Sequence, residues 1–248
     1  MRTRPFLSEV SLKPSAQALM DTFPFSLPVV RSLGTLPLHP QVTFFVGENG
    51  SGKSTLLEAI AVAMGFNAEG GGRNFSFATH ASHSALHQHL RIVRGITPPR
   101  DGYFLRAESF FNVSSEIERL DREGMGPRII DSYGGKSLHE QSHGEAFLTL
   151  FMQRFGGKGF YVLDEPEAAL SPQRQLAMLS RLHDLVRGGS QFLIATHSPI
   201  LMAYPHAVIY ECGANGIVKV QYEETEHYRV MHDFIANPQR MLKVLLEP

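Results

Sequence analysis

The stretch of sequence that decides the fold is a glycine-rich octapeptide, Gly47-Glu48-Asn49-Gly50-Ser51-Gly52-Lys53-Ser54. It matches the phosphate-binding pattern G-x-x-x-x-G-K-[ST]. The short apolar run at residues 42–46 predicts a buried strand just before it, and the apolar residues spaced along 53–64 predict a helix that Gly65 ends. A strand, this loop and a helix in that order form the context in which the motif binds phosphates.

Each residue type in the loop has a physical task. The glycines let successive backbone N–H groups and the start of the helix point at phosphate oxygens. Lys53 is expected to reach the β- and γ-phosphates, and the Ser54 hydroxyl is expected to bind Mg²⁺, which prefers hard oxygen ligands. The predicted nucleotide-binding residues are Gly47, Asn49, Gly50, Ser51, Gly52, Lys53, Ser54 and Thr55.

Two later strands are predicted to end in functional side chains. The apolar residues 160–163 lead into the adjacent carboxylates of Asp164 and Glu165. After a phosphate loop, Asp164 is expected to complete the Mg²⁺ site and Glu165 to polarise the attacking water. The strand at 192–195 leads to His197, 33 residues after Asp164. This strand is expected to lie beside the carboxylate strand, which makes His197 a candidate sensor of the γ-phosphate.

A weaker signal precedes the predicted helix at residues 144–154. At its start are Ser142, Gly144 and Glu145. Ser142 lies 22 residues before Asp164. Because a helix start attracts anions, this segment is a second candidate phosphate contact, although alone it is equally typical of an ordinary helix. The order of the segments resembles that of the ABC-type ATPases over essentially the whole chain: the phosphate loop, Ser142-x-Gly144-Glu145, Asp164-Glu165-Pro166 and Thr196-His197-Ser198-Pro199.

Within that superfamily the chain resembles the branch related to the DNA-repair and chromosome-maintenance ATPases. Glu69-Gly70-Gly71 and the segment Tyr222-Glu223-Glu224-Thr225-Glu226-His227-Tyr228 are similar to those of a group of compact bacterial ATPases. The resemblance implies that ATP and Mg²⁺ are the cofactors and that two copies join head to tail around two nucleotides. It also implies that hydrolysis switches a protein partner or a nucleic-acid transaction.

The resemblance assigns roles to particular positions. Catalysis is expected from Glu165, His197 and Lys53, and metal binding from Ser54 and Asp164. Ser142 and Gly144 are expected to close the nucleotide site of the second copy. The 88 residues between Lys53 and Ser142 are too few for the long coiled-coil arms of the chromosome-maintenance relatives.

These patterns predict an α/β fold, a P-loop NTPase of the ABC type with a largely parallel central sheet. The nucleotide-binding core is expected in residues 1–67 and 146–248, with a small helical lobe inserted at 68–145. A β-hairpin at 207–222 and a helical tail at 227–246 are expected to follow. Residues 6–13 predict an edge strand, and the glycines at 70–72 a flexible entry to the lobe.

Composition limits the class of protein. The 248 residues are 43% hydrophobic, and 23 basic residues nearly balance 24 acidic ones, so the net charge of −1 gives no overall attraction to nucleic acid or to an anionic membrane. The single cysteine, Cys212, excludes a disulfide framework and fits a reducing compartment. With no apolar run of membrane-spanning length and no signal peptide, a cytoplasmic protein without an integral membrane segment is expected.

Several assignments stay open. Phe23 and Phe25 are candidates to stack on adenine, with core packing as the alternative, and Glu108 is the candidate for the Q-loop position. Ser171 either links the two copies of a dimer or caps a helix. The histidines at 80, 83, 87 and 89 favour a solvated lobe surface over a zinc site.

Two other functions compete with the leading interpretation. The runner-up is the ATP-binding subunit of a membrane transporter, a class that the atypical Q-loop disfavours. A phosphotransferase is a weaker candidate, because the segment Ser142-x-Gly144-Glu145 would then have no purpose.

Overall fold

The structure is a computed structural model that describes residues 4–72, 84–106, 110–123, 128, 130–131, 135 and 143–246. Its strands are β1 (Leu7–Leu12), β2 (Leu36–Pro37), β3 (Val42–Val46), β4 (Gly71–Gly72), β5 (Leu90–Arg94), β6 (Asp101–Arg106), β7 (Gly159–Asp164), β8 (Gln191–Ala195), β9 (Val208–Gly213) and β10 (Gly216–Val220). Its helices are α1 (Pro28–Arg31), α2 (Lys53–Ala63), α3 (Phe110–Glu123), α4 (His143–Gln153), α5 (Pro172–Arg187), α6 (Pro199–Met202), α7 (Glu226–Ala236) and α8 (Pro238–Leu246). Short 3₁₀ turns include Pro14–Leu19, Ala85–His89 and Tyr222–Glu224.

The main sheet has seven strands in the order β10-β9-β3-β8-β7-β6-β4. The five strands from β9 to β6 are parallel, whereas β10 and β4 run antiparallel at the two edges. The prediction of a largely parallel α/β sheet is therefore confirmed, and so is the predicted neighbourhood of β7 and β8. Because β8 lies between β3 and β7, the carboxyl ends of these three strands meet at one edge of the sheet.

The apolar runs of the central strands are explained by two covered faces of the sheet. On β7, Phe160 and Val162 belong to the core cluster that contains the apolar residues of α2 and of β1, whereas Tyr161 and Leu163 pack in the cluster that contains α4 and α5. Successive strand residues point to opposite faces, so a strand buried on both sides is apolar throughout. This sandwich holds the edge that carries the phosphate loop.

Two expectations about the amino-terminal half are wrong. β1 is the centre of a three-stranded antiparallel sheet, β2-β1-β5, rather than an edge strand. Alternation of apolar residues indicates a strand but says nothing about how many neighbours it pairs with. The glycines of β4 are buried and pair with β6, so they form an edge of the main sheet and not a flexible entry.

The range 68–145 also differs from a purely helical lobe. β4 and β6 come from this range and belong to the main sheet, and β5 pairs with β1 in the small sheet. Residues 103–105 are strand-like in sequence, but hydropathy alone does not show that they pair with β7 in the main sheet. The division of the chain into a core and an inserted lobe stays a prediction.

Gln191 joins the two sheets. Its side-chain oxygen accepts hydrogen bonds from the backbone N–H groups of Phe6 (2.8 Å) and Leu7 (2.9 Å), and its Nε2 donates to the carbonyl oxygens of Leu7 (2.7 Å) and His39 (2.9 Å). The residue is only 1% exposed. These four bonds tie β8 of the main sheet to β1 of the small sheet and to the chain that leads into β3.

We expect Gln191→Ala to lower the free energy of unfolding by about 3 kcal/mol, because it leaves buried polar groups of the backbone without partners. Urea denaturation of the purified protein measures this loss. Gln239→Ala, at an exposed position on α8, is the matched control and should change stability by less than about 0.5 kcal/mol. Equal stability of the two variants would contradict the role of Gln191.

Candidate functional site

The loop after β3 has a backbone that favours glycine. Gly47, Gly50 and Gly52 have φ values of 133°, 79° and 94°, which lie in the region that other residues rarely adopt. A Cβ atom on Gly47 would also lie 2.0 Å from the carbonyl oxygen of Cys212 on β9. The tight turn and the close approach to β9 therefore both require glycine at position 47.

Lys53 begins α2 and is only 3% exposed. Its Nζ donates hydrogen bonds of 2.8 Å to the carbonyl oxygens of Gly47 and Glu48, so the side chain folds back over the loop. Burial lowers the pKa of Lys53, an effect that the nearby carboxylates of Glu165 and Asp164 oppose. The ammonium group thus lies between the phosphate loop and the acidic end of β7.

Ser54 and Asp164 meet across the sheet edge. The Ser54 hydroxyl donates a hydrogen bond of 2.9 Å to Oδ1 of Asp164, 110 residues away in sequence. Asp164 is buried, and its other carboxylate oxygen lies 3.9 Å from Nε of Arg106. A hydroxyl and a buried carboxylate side by side are the hard oxygen donors that Mg²⁺ prefers, so the residues present fit this ion.

Glu165 follows Asp164 with a left-handed backbone, at a φ of 52°. Non-glycine residues in this region are often found at functional sites, where the surrounding structure holds them in place. Here the Glu165 N–H donates to the carbonyl of Ala195, which ties the end of β7 to the end of β8. The carboxylate Oε1 lies 3.3 Å from Nε2 of His197.

His197 is held from both its backbone and its ring. Its N–H donates a hydrogen bond of 2.6 Å to Oε1 of Glu167, and its Nδ1 lies 2.9 Å from Nε2 of His227. Burial lowers the pKa of the His197 imidazole and the Lys53 ammonium lowers it further, whereas Glu165 raises it. Burial raises the pKa of the Glu167 carboxyl. The predicted catalytic residues Lys53, Glu165 and His197 thus lie together.

Sequence reasoning missed two residues of this group. Glu167 stands two positions after Glu165, but a third acid at a strand end carries no signal of its own. His227 lies within the segment 222–228, which marked the resemblance to compact bacterial ATPases without suggesting a role. That segment was the available signal for His227.

The segment expected to close a second copy's site is described only in part. Ser142 lies outside the described residues. Gly144 stands in the first turn of α4, where a Cβ atom would lie 2.2 Å from the carbonyl oxygen of Ala169, in the loop after β7. Glu145, next along the helix, forms an ion pair of 3.4 Å with Arg174 on α5. The packing of α4 therefore supplies its own reason for glycine at position 144.

The remaining residues of the phosphate loop line a cleft. Asn49, Gly50 and Ser51 form one side, the hairpin residues 211–216 form the other, and the volume between them is about 560 Å³. Thr55, on the first turn of α2, is half-buried.

The structure distinguishes the two aromatic candidates. Phe25 is 3% exposed, and its ring packs edge-on against His89 at 5.1 Å, so it is a core residue. Phe23 is 71% exposed and stays the candidate for stacking on adenine.

Ser171 caps α5 by accepting a hydrogen bond of 3.4 Å from the N–H of Arg174. This is the helix-capping role that the sequence offered as one of its two alternatives.

The Q-loop and zinc candidates lie partly outside the described part of the chain. Glu108, His80 and His83 lie outside it. Among the residues that the structure describes, no group of three or more histidine, cysteine, aspartate or glutamate side chains is arranged to hold a metal ion. None of the described helices is both long enough and apolar enough to cross a bilayer.

Comparison with protein families gives two matches that lie side by side along the chain. A model described as an AAA domain matches residues 29–123, which include the phosphate loop. A second AAA-domain model, whose description also names an AbiEii toxin and a Type IV toxin–antitoxin system, matches residues 137–203. The second match includes the ends of both β7 and β8.

Two curated proteins are similar over most of the chain. The hemin import ATP-binding protein HmuV of Idiomarina loihiensis is 25% identical over 198 residues, which cover 75% of this chain and 76% of that protein. The ABC transporter G family member STR2 of Medicago truncatula is 25% identical over 189 residues, or 69% of this chain. The match spans only 26% of the length of the Medicago protein.

A solved transporter cassette shares the fold. An ATP-binding cassette of an ABC transporter aligns over 94% of this chain and 97% of its own, with 18% identity and a TM-score of 0.54. An Smc head bound to the C-winged helix domain of ScpA covers 89% of this chain and 99% of its own, with 16% identity and a TM-score of 0.48. With AAA-domain models matching both halves of the site and a cassette fold around it, this chain is a P-loop ATPase of the AAA/ABC type.

Proposed function

We propose that this ATPase works apart from any transporter, and that MgATP joins two copies head to tail. Hydrolysis would separate the copies and so switch a protein partner or a nucleic-acid transaction of the DNA-maintenance or defence type. The observation that carries the proposal is the convergence of Lys53, the Ser54–Asp164 pair and the Glu165–His197 pair at one edge of the sheet. Cys212, a buried free thiol, fits the cytoplasm as its compartment.

The chemistry at this edge follows from the side chains. Mg²⁺, held by Ser54 and Asp164, would offset charge on the transferring phosphoryl group when bound. The Lys53 ammonium does the same from the phosphate loop. The Glu165 carboxylate orients and polarises the attacking water, and the His197 imidazole donates a hydrogen bond to the γ-phosphate.

In the proposed dimer, each copy supplies one side of a nucleotide site. Lys53, Asp164 and Glu165 approach the phosphates from the loop side, and the start of α4 is an anion-attracting element that packs beside the loop after β7. We propose that this helix start, with Ser142, meets the γ-phosphate held by the other copy. Because each copy offers both halves, the closed form is a twofold dimer with two sites.

We expect His197→Ala to lower kcat for ATP hydrolysis by about 10²- to 10³-fold, because it removes a donor that acts on developing charge. Phosphate release at saturating MgATP measures the effect, and binding of a fluorescent ATP analogue should change far less. His232→Ala, an exposed histidine on α7, is the control and should retain the wild-type rate. Normal turnover by His197→Ala would assign the histidine a structural role only.

A second candidate is the ATP-binding subunit of a membrane transporter. It is favoured by the transport roles named for HmuV and the Medicago protein, although both are only 25% identical to this chain. The genes next to this one in the genome distinguish the two candidate functions: a permease gene would support transport, and a nuclease or defence gene would support the switch.

The possible action on nucleic acid in the first proposal has its own test. ATP turnover by the purified chain is measured with and without double-stranded DNA.

A further inference from the structure

The segment 222–228 is fixed against the chain that follows His197. Thr225 is fully buried and caps α7: its hydroxyl accepts a hydrogen bond of 3.3 Å from the N–H of Tyr228 and donates one of 2.8 Å to the carbonyl of Tyr222. The phenol of Tyr222 in turn donates 3.0 Å to the carbonyl of Pro199, at the start of α6. These bonds set the position of His227, in the first turn of α7, relative to His197.

The two imidazoles form the middle of an array of contacting side chains. Nδ1 of His197 lies 2.9 Å from Nε2 of His227, and Nε2 of His197 lies 3.3 Å from Oε1 of Glu165. The far nitrogen of the array, Nδ1 of His227, is buried and has no hydrogen-bond partner in the described part of the chain. The array therefore runs from the proposed water-activating carboxylate to α7.

The surroundings of both rings favour the neutral imidazole. Burial lowers the pKa of each imidazole and the Lys53 ammonium lowers both further; Glu165 opposes this at His197, and Glu226, Glu211 and Glu48 oppose it at His227. The partial positive charge at the start of α7 also favours a neutral His227. A neutral imidazole carries one N–H, so only one of the two rings donates across the 2.9 Å contact.

The two possible placements of the protons on His197 and His227 differ in free energy. If His197 donated from Nδ1, its Nε2 lone pair would face the Glu165 carboxylate, and the buried Nδ1 of His227 would carry an N–H with no acceptor among the described residues. If His227 donates from Nε2, His197 carries its proton on Nε2, a buried nitrogen that makes no aligned hydrogen bond but lies 3.3 Å from the Glu165 carboxylate, and His227 keeps an unpaired lone pair on Nδ1. A buried N–H without a partner is the rarer and costlier defect, so the second arrangement is favoured.

We infer that His227 is a positioning residue for ATP hydrolysis: it donates a hydrogen bond from Nε2 to His197 and so keeps the His197 proton on Nε2, the nitrogen beside Glu165 from which the proposed hydrogen bond to the γ-phosphate would be donated. The inference rests on the proposed role of His197 as the γ-phosphate donor. It gives the segment 222–228 a function, because its capping and anchoring bonds hold His227 in place. It also connects α7 to the site.

The first test compares two neutral side chains of similar length. His227→Gln can donate from its amide nitrogen, whereas His227→Met cannot. We expect kcat of His227→Met to lie at least about 10-fold below that of His227→Gln, with similar KM for ATP, since loss of a partner that orients a functional histidine costs about 10- to 100-fold. His232→Met, an exposed histidine on the same helix, is the matched control and should match the wild type.

Equal kcat for His227→Gln and His227→Met, in a wild type that hydrolyses ATP, would overturn the inference. A wild type without ATPase activity would instead count against the proposed function. In the His197→Ala background both substitutions at position 227 should have no further effect, because His227 acts through His197. A large additional loss there would show that His227 acts through something else.

The second test needs no substitution at His227. In protein labelled with ¹⁵N-histidine, nitrogen chemical shifts report which ring nitrogen carries the proton, and loss of a signal set in His197→Ala assigns His197. We expect His197 to be protonated at Nε2 and unprotonated at Nδ1. A proton on Nδ1 of His197 would overturn the inference even if the variants at position 227 failed to fold.

Discussion

Replacing Lys53 by alanine is expected to remove ATP hydrolysis, with kcat/KM lowered by at least about 10³-fold. The ammonium group is almost fully buried at the phosphate loop, held by the carbonyls of Gly47 and Glu48 and facing the acids at the end of β7. No neighbouring cation in the described loop replaces it, so both nucleotide binding and stabilisation of the transferring phosphoryl are lost together. Phosphate release over a range of MgATP concentrations measures the effect.

The control for this prediction is Lys219→Ala. Lys219 lies on β10 with an exposed side chain, so its loss changes the net charge equally but leaves the loop intact. We expect wild-type turnover from Lys219→Ala and circular dichroism spectra of both variants that match the wild type. A folded Lys53→Ala protein that hydrolyses ATP at the wild-type rate would contradict the assignment of the phosphate loop.

ATP should convert Glu165→Gln from a monomer into a stable dimer. Glutamine keeps the size of the side chain but loses the carboxylate that orients the attacking water, so bound ATP persists and the closed form accumulates. The neighbouring ligand pair, Ser54 and Asp164, is unchanged, and MgATP binding is therefore retained. Light scattering with and without saturating MgATP measures the change in mass.

Two further variants make the dimer experiment decisive. Adding Lys53→Ala to Glu165→Gln should keep the protein monomeric, since the nucleotide no longer binds. Adding Ser142→Arg should block the dimer while leaving ATP binding intact, because the proposed contact is made only to the other copy. A monomer of Glu165→Gln in saturating MgATP would count against the head-to-tail dimer. A dimer unaffected by Ser142→Arg would reduce the segment before α4 to an ordinary helix start.

Much of the fold was predictable because its signals are local. The apolar strand, the glycine loop and the apolar helix are adjacent at residues 42–64, and β7 and β8 are apolar runs that end in polar side chains. Parallel strands place their carboxyl ends at one edge, which predicted the meeting of Lys53, Asp164 and His197. The partners of β1 and the place of β6 in the sheet were not predictable, since strand pairing depends on distant segments.

For the candidate site too, some residues follow from local sequence and others only from the tertiary structure. Sequence alone determined the class of the protein and predicted its phosphate loop, Asp164, Glu165 and His197, because each of these lies just after an apolar strand that the local pattern marks. Only the tertiary structure decided that Gln191 holds the two sheets together and that His227 contacts His197. These contacts join residues 184 and 30 positions apart, and no local pattern encodes which distant donor a buried polar group will meet.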